Sequence, residues 1–371
     1  MRKSYAFALI AGSALAAPCA AQVTTLYSFS GATDGENPRA GLIFARGALF
    51  GTTGFGGTSQ MGTVFKIDPA SGAETVLHRF AGGADGANPF ARLLYFGGAL
   101  YGTSWGGGGT CGCGTVFKLD PSTGANTVLH VFARTDGAFP TAGLIVAGGA
   151  LYGTTSQGGT RNAGMAFKID PASDAFRVLH DFGGFGGRTP FAGLLYHAGA
   201  LYGTAFAGGA KGDGVVFRMN LGGSAYTVLH SFAGADGSHP QAGLVSYAGA
   251  LYGTTRRGGS MDVGTIFTID PASRTERVLH NFSGTEGRVI ESGLTMHGGL
   301  LYGTASFGGS DDMGTLYSLN PGGGTLSVLY NFAADNGILP NEVMFHGGTL
   351  YGTTDLSGAN ATYGTVFSMS P

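Results

Sequence analysis

Five acids and five histidines recur along this chain at matching intervals, and both residue types can hold protons, sugar hydroxyls or metal ions. The acids are Asp34, Asp85, Asp136, Asp236 and Glu286, with Gly186 and Asn336 at the two remaining copies. Carboxylates converging on one opening would bind a cation or the hydroxyls of a sugar. An Asp followed by Gly and then Pro also makes an Asx-turn, its side chain accepting backbone N–H groups. Because the acid recurs with its loop, the turn role is favoured, and the four aspartates are carried forward as ligand-binding candidates. The histidines, His78, His130, His180, His230 and His280, share one position that Tyr27 and Tyr330 fill elsewhere. Ligands must sit about 2 Å from a shared ion, and copies on separate outer strands lie too far apart for that. A hydrogen-bonded packing role is expected, with no metal site and no cofactor.

Other residues invite chemistry less insistently. Phe55, Trp105, Phe206 and Phe307 fall near the start of comparable glycine-rich loops, beside Arg256 and Arg257 in one copy. Such rings either stack on sugars or plug the loop backbone. Cys111 and Cys113 form a Cys-Gly-Cys, without the second pair that a structural zinc site needs. A short local disulfide is expected, closing too small a loop to add much stability. Gly102-Thr103-Ser104-Trp105-Gly106 fits a nucleophile-elbow pattern, but no helix follows it. Where the recurring pattern breaks, Arg92 replaces Gly, Glu291 and Glu342 interrupt an Ala-Gly-Leu region, and Asp311-Asp312 load one loop. Glu291 and Glu342 are the acid pair that a hydrolase or lyase would require.

The elements that carry these residues follow from one repeat. Leu-Tyr-Gly-Thr begins at Leu49, Leu100, Leu151, Leu201, Leu251, Leu301 and Leu350, with Phe for Tyr in the first copy, at steps of 49 to 51 residues. Each unit holds four short apolar runs bounded by Gly, Pro, Asp or Ser. In the second unit these are 92–95, 99–103, 114–120 and 127–132. No stretch carries an apolar 3.6-residue period free of glycine. Four antiparallel strands per unit of about 50 residues describe a propeller blade. A parallel β-helix has shorter coils and no tight hairpins.

The sequence therefore predicts a seven-bladed β-propeller spanning 22–371. Residues 24–29 match the fourth strand of a unit, while the last unit stops after its third, at 364–369. Pairing these two segments would close the ring without an open edge, setting Leu26 and Phe29 against Val366 and Phe367.

Ahead of the repeats, Arg2 and Lys3, an apolar run over 5–17 and small residues up to Ala21 have the layout of a cleaved secretory signal over 1–21. Pro18 disfavours lipidation of Cys19. No later run is long enough to span a membrane. Without Arg2 and Lys3 the net charge moves from −2 to −4, only 11% of residues are charged, and no basic cluster exists. That excludes the usual electrostatics of nucleic-acid binding.

The recurring strings, roughly D-G-x-x-P-x-A-G-L, L-Y-G-T-T-x-x-G-G and G-T-V-F-K-x-D-P, resemble the bacterial GloVer tandem-repeat family over residues 24–371. The resemblance implies an extracytoplasmic repeat protein and supplies no catalytic residues. The end at Ser370-Pro371, without a sorting segment, favours a secreted or periplasmic form. The expected function is a non-catalytic, monomeric scaffold binding a glycan, peptide or protein on its long-loop face. The alternatives are a carbohydrate-active enzyme and a structural envelope protein.

Overall fold

The computed structural model describes residues 22–356 and 363–371, so the segment read as a signal lies outside the described residues. Six four-stranded antiparallel sheets follow in chain order, and a seventh joins residues from both ends of the chain. In that seventh blade Val23–Ser28 pairs with Thr365–Met369, which pairs with Thr349–Leu356. The first strands of successive blades lie against one another around the axis. Among the described residues the only helical pieces are two three-residue 3₁₀ turns.

The recurring strings turn out to be joints. Glycine of Leu-Tyr-Gly-Thr faces the aromatic residue of the third strand in register, as Gly51 faces Phe65 and Gly102 faces Phe117. A Cβ on Gly102 would stand 2.4 Å from Phe117 Cζ, so the ring can lie there only because glycine leaves the space. The threonine that follows donates to the carbonyl of the next blade: Thr52 to Ala91 (3.2 Å), Thr154 to Ala192 (2.9 Å) and, closing the ring, Thr353 to Ala40 (3.1 Å). Two-residue turns join first and second strands, with φ of +56° and +87° at Gly97 and Gly98. Positive φ at both positions matches the right-handed twist of the flanking strands.

The core is divided among the blade interfaces. Seven apolar clusters each bridge two adjacent blades. Neighbouring residues of one strand serve different interfaces: Val64 packs toward the second blade, while Phe65 packs toward the seventh. Each fully buried phenylalanine contributes about 1.5–3 kcal/mol, so each interface holds the ring shut. The closing strand corrects one expectation. Val366 clusters with Phe29 and Leu26, but Phe367 lies on the other face of the sheet with Val23 and Phe332. Side chains alternate along a strand, so one element cannot send both residues to the same cluster.

Candidate functional site

The loops following the second and the fourth strands meet on one face. Glu36 bridges to Phe55, Ala87 to Gly106, Ser238 to Arg257 and Arg288 to Phe307, binding each incoming loop to the loop of the blade it enters. The acids and histidines that recur separately in sequence are partners here. Asp236 Oδ2 lies 2.9 Å from His230 Nε2 while its Oδ1 accepts the Ala233 N–H at 2.8 Å. Asp85 bonds His78 and the Ala81 N–H, Asp136 sits 3.2 Å from His130, and Glu286 takes His280 at 2.9 Å. Asp34 accepts from Tyr27 Oη and from Ser30. Burial pushes the Asp34 carboxyl up, but the Ser30 and Tyr27 hydrogen bonds outweigh it and hold the group below its ordinary value. Burial pulls the His130 and His180 imidazoles down, which favours their neutral form. Each acid thus ties its loop to the outer strand just completed.

The aromatic candidates occupy two neighbouring positions: Trp105 and Phe206 share one, and Phe55 and Phe307 share the next. Trp105 stacks on Phe139 with centroids 4.8 Å apart, has Phe90 at 6.2 Å, and remains 38% exposed. Phe90 also meets Phe55 at 5.7 Å and lies under the Arg39 guanidinium. Phe206 packs with Phe191 and His239, while Arg288 covers Phe307. Sequence inspection missed Phe90, Phe139, Phe191 and His239. Their signal was adjacency to the recurring proline, legible only once the incoming loop is known to run beside the aromatic one. Cys111 and Cys113 are joined by a disulfide beneath this arc, and the Cys113 carbonyl accepts the Phe139 N–H at 2.8 Å.

Three of the positions that break the repeat, Arg92, Glu291 and Glu342, converge, whereas Asp312 is exposed and pairs with Arg288. A Cβ on Gly41 would stand 3.1 Å from Glu342, one on Gly143 2.9 Å from the Arg92 carbonyl, and one on Gly193 3.0 Å from the Gly143 carbonyl. This one position therefore lines the axis from blade to blade. Arg92 and Glu342 occupy it in the second and seventh blades, and Nη1 reaches Oε1 at 3.1 Å past Gly41. Glu291 is held by Arg256 Nε at 2.7 Å. Asp355, which sequence inspection did not single out, contacts Arg39 at 3.3 Å and accepts from Asn341 Nδ2 at 2.9 Å. Burial, aided by the charge of Glu291, raises the Asp355 carboxyl despite Asn341 and Arg39. Three arginines and three carboxylates thus balance around the mouth, beside an aromatic arc.

The opposite face carries short turns. Two open grooves of about 390 and 380 Å³ lie there between blades, lined by residues such as Lys118, Asp120 and Asp174, or Lys168 and Asp170. The aspartates are recurring turn residues and the lysines belong to third strands, so the grooves lie away from the converging charges.

Among solved structures, the extracellular domain of a putative hybrid two-component system from B. thetaiotaomicron superposes with a TM-score of 0.63 at 11% identity, covering 94% of this chain. This chain spans only 40% of that one. An oligogalacturonate lyase in complex with manganese gives 0.58 at 14% identity, covering 94% of this chain and 93% of its own. The Vibrio parahaemolyticus oligogalacturonate lyase gives 0.54 at 12%, covering 95% and 94%. At these identities the likeness concerns the fold alone. No curated protein matches the sequence. The Gloeobacter/Verrucomicrobia repeat model matches residues 14–162 and 107–310, and the chain belongs to that repeat family.

Proposed function

We propose that this chain is an extracytoplasmic, non-catalytic binding propeller whose ligand is a carbohydrate seated over the axial mouth of the long-loop face. One observation carries the reading: the half-exposed Trp105, stacked on Phe139, adjoins a mouth where Arg92–Glu342, Arg256–Glu291 and Arg39–Asp355 cancel one another's charge. An indole face suits the apolar face of a sugar ring, and paired ions supply donors and acceptors to hydroxyls without favouring a charged ligand. Among the described residues no helix is long and apolar enough to cross a membrane. The signal-like segment is what supports placement outside the cytoplasm. Asp34, Asp85, Asp136 and Asp236 fall outside the proposed contact, because their oxygens are engaged by their own loops.

One observation favours a second, enzymatic reading: the buried Asp355 carboxyl is raised above its ordinary value with the Glu291 charge nearby, which sets two acids at the mouth. A polysaccharide array followed by calorimetry on the protein from residue 22 separates the two. Binding of a neutral glycan without turnover is expected, and Trp105→Ala should weaken it by about 1–3 kcal/mol. Cleavage products would favour the enzyme. Full affinity in Trp105→Ala, with binding lost on altering Asp120 or Lys118, would place the ligand on the short-turn face and refute the proposal.

A further inference from the structure

The outer joints between blades share one plan and differ in the residues that fill it. One residue at the start of a fourth strand, or just before it, packs against the histidine, tyrosine or acid of the preceding blade. At the joint after the second blade it is Phe176, stacked on His130 at 3.7 Å, and after the third it is Tyr226, stacked on His180 at 3.8 Å. After the first blade it is Asn126, whose Nδ2 donates to Asp85 at 2.9 Å and so satisfies the acid. After the fourth blade it is Glu276, which can donate nothing when ionised. Glu276 meets His230 and Asp236, with one nitrogen and one oxygen from each carboxylate all within 4.8 Å of one another. Its Oε1 has less than 1 Å² of accessible surface and no hydrogen-bond partner among the described residues. The equivalent group where the ring closes, Glu74, faces Tyr27 and Asp34, a phenol in place of an imidazole.

We propose that the joint between the fourth and fifth blades binds a divalent cation of the zinc class, with His230 Nε2, Asp236 and Glu276 as its protein ligands. One imidazole and two carboxylates suit zinc, whereas calcium and magnesium demand more oxygens. Tetrahedral ligands about 2.0–2.2 Å from the ion stand roughly 3.3–3.6 Å from one another. Side-chain rotation therefore has to draw Glu276 inward and open the 2.9 Å His230–Asp236 contact slightly. Two carboxylate charges balance the ion, and water completes the shell. The ion would supply the buried Oε1 with the partner it otherwise lacks. It would also cross-link two blades, because Glu276 belongs to the fifth and His230 to the fourth. Comparing histidines only with one another discourages a metal. This donor set arises because one histidine meets its own loop acid and the next blade's glutamate.

The test is zinc titration by calorimetry and thermal shift on untagged, chelator-treated protein beginning at residue 22. Glu276→Gln and His230→Tyr are the variants, and Tyr27 and Tyr330 show that the fold accepts tyrosine at the latter position. The wild type should bind one zinc ion per chain and melt at a higher temperature with it. Each variant should bind at least tenfold more weakly and lose the zinc-dependent rise. Calcium at equal concentration should produce no shift. Equal zinc affinity in wild type and both variants would overturn the site, as would no binding by the wild type. Both variants are expected to keep their far-ultraviolet dichroism, so loss of folding would be seen directly. Neither touches the axial mouth, so a failed cation site leaves the glycan reading standing.

Discussion

Replacing Glu74 by glutamine should stabilise the protein at alkaline pH and leave it unchanged in acid. Glu74 begins the outer strand of the first blade and is half-buried against the closing joint. Burial is the main cause that raises its carboxyl from 4.5 to about 7, followed by the charge of Asp34 and opposed by Arg79. Between those two pH values the folded chain keeps a proton that the unfolded chain has released, so stability falls as pH rises through the window. Below pH 4.5 both states are protonated and the penalty vanishes; above about 7 it is present in full. At 1.36 kcal/mol per pH unit the rise corresponds to about 3 kcal/mol. The group lies at the partly solvated rim, and screening reduces the expected gain to about 1 kcal/mol. Denaturant unfolding of wild type and Glu74→Gln at pH 4 and pH 8.5 reads the difference directly. Glu276 titrates in both proteins and cancels. A gain that is the same at both pH values, or larger in acid, would refute the argument, because a packing effect of glutamine has no pH dependence.

Two further outcomes test the architecture. Deleting residues 22–30 should leave Thr365–Met369 without its outer partner and uncover the apolar surface around Val366, producing a lower melting temperature and aggregation; wild-type behaviour would dismiss strand closure. Gly102→Ala should cost about 1–3 kcal/mol, since its Cβ falls 2.4 Å from Phe117 Cζ and 3.0 Å from Leu93. Gly243→Ala, whose nearest contact is 3.6 Å away, should stay within about 0.5 kcal/mol, and equal costs at the two positions would show that the ring-over-glycine contact is unimportant.

The sequence by itself determined the blade count, the strand order within a blade and the chain-end pairing. Each follows from local periodicity: turn residues at fixed intervals, four short apolar runs per unit, and a surplus outer strand at the start. It also located the breaks in the repeat, Arg92, Glu291 and Glu342. Only the tertiary structure decided what those breaks meet. Arg92 and Glu342 are 250 residues apart and touch because the ring closes; Thr353 and Ala40 are 313 apart and bond for the same reason. Asp355 went unnoticed because its significance lies in Arg39 and Asn341, which arrive on other loops. An acid follows the histidine by six or seven residues in four units, yet the sequence assigned the two separate roles. They are partners because the loop leaving each outer strand folds back on it. A repeat encodes what each unit does to itself and to its neighbour, whereas a site at the axis depends on closing the circle.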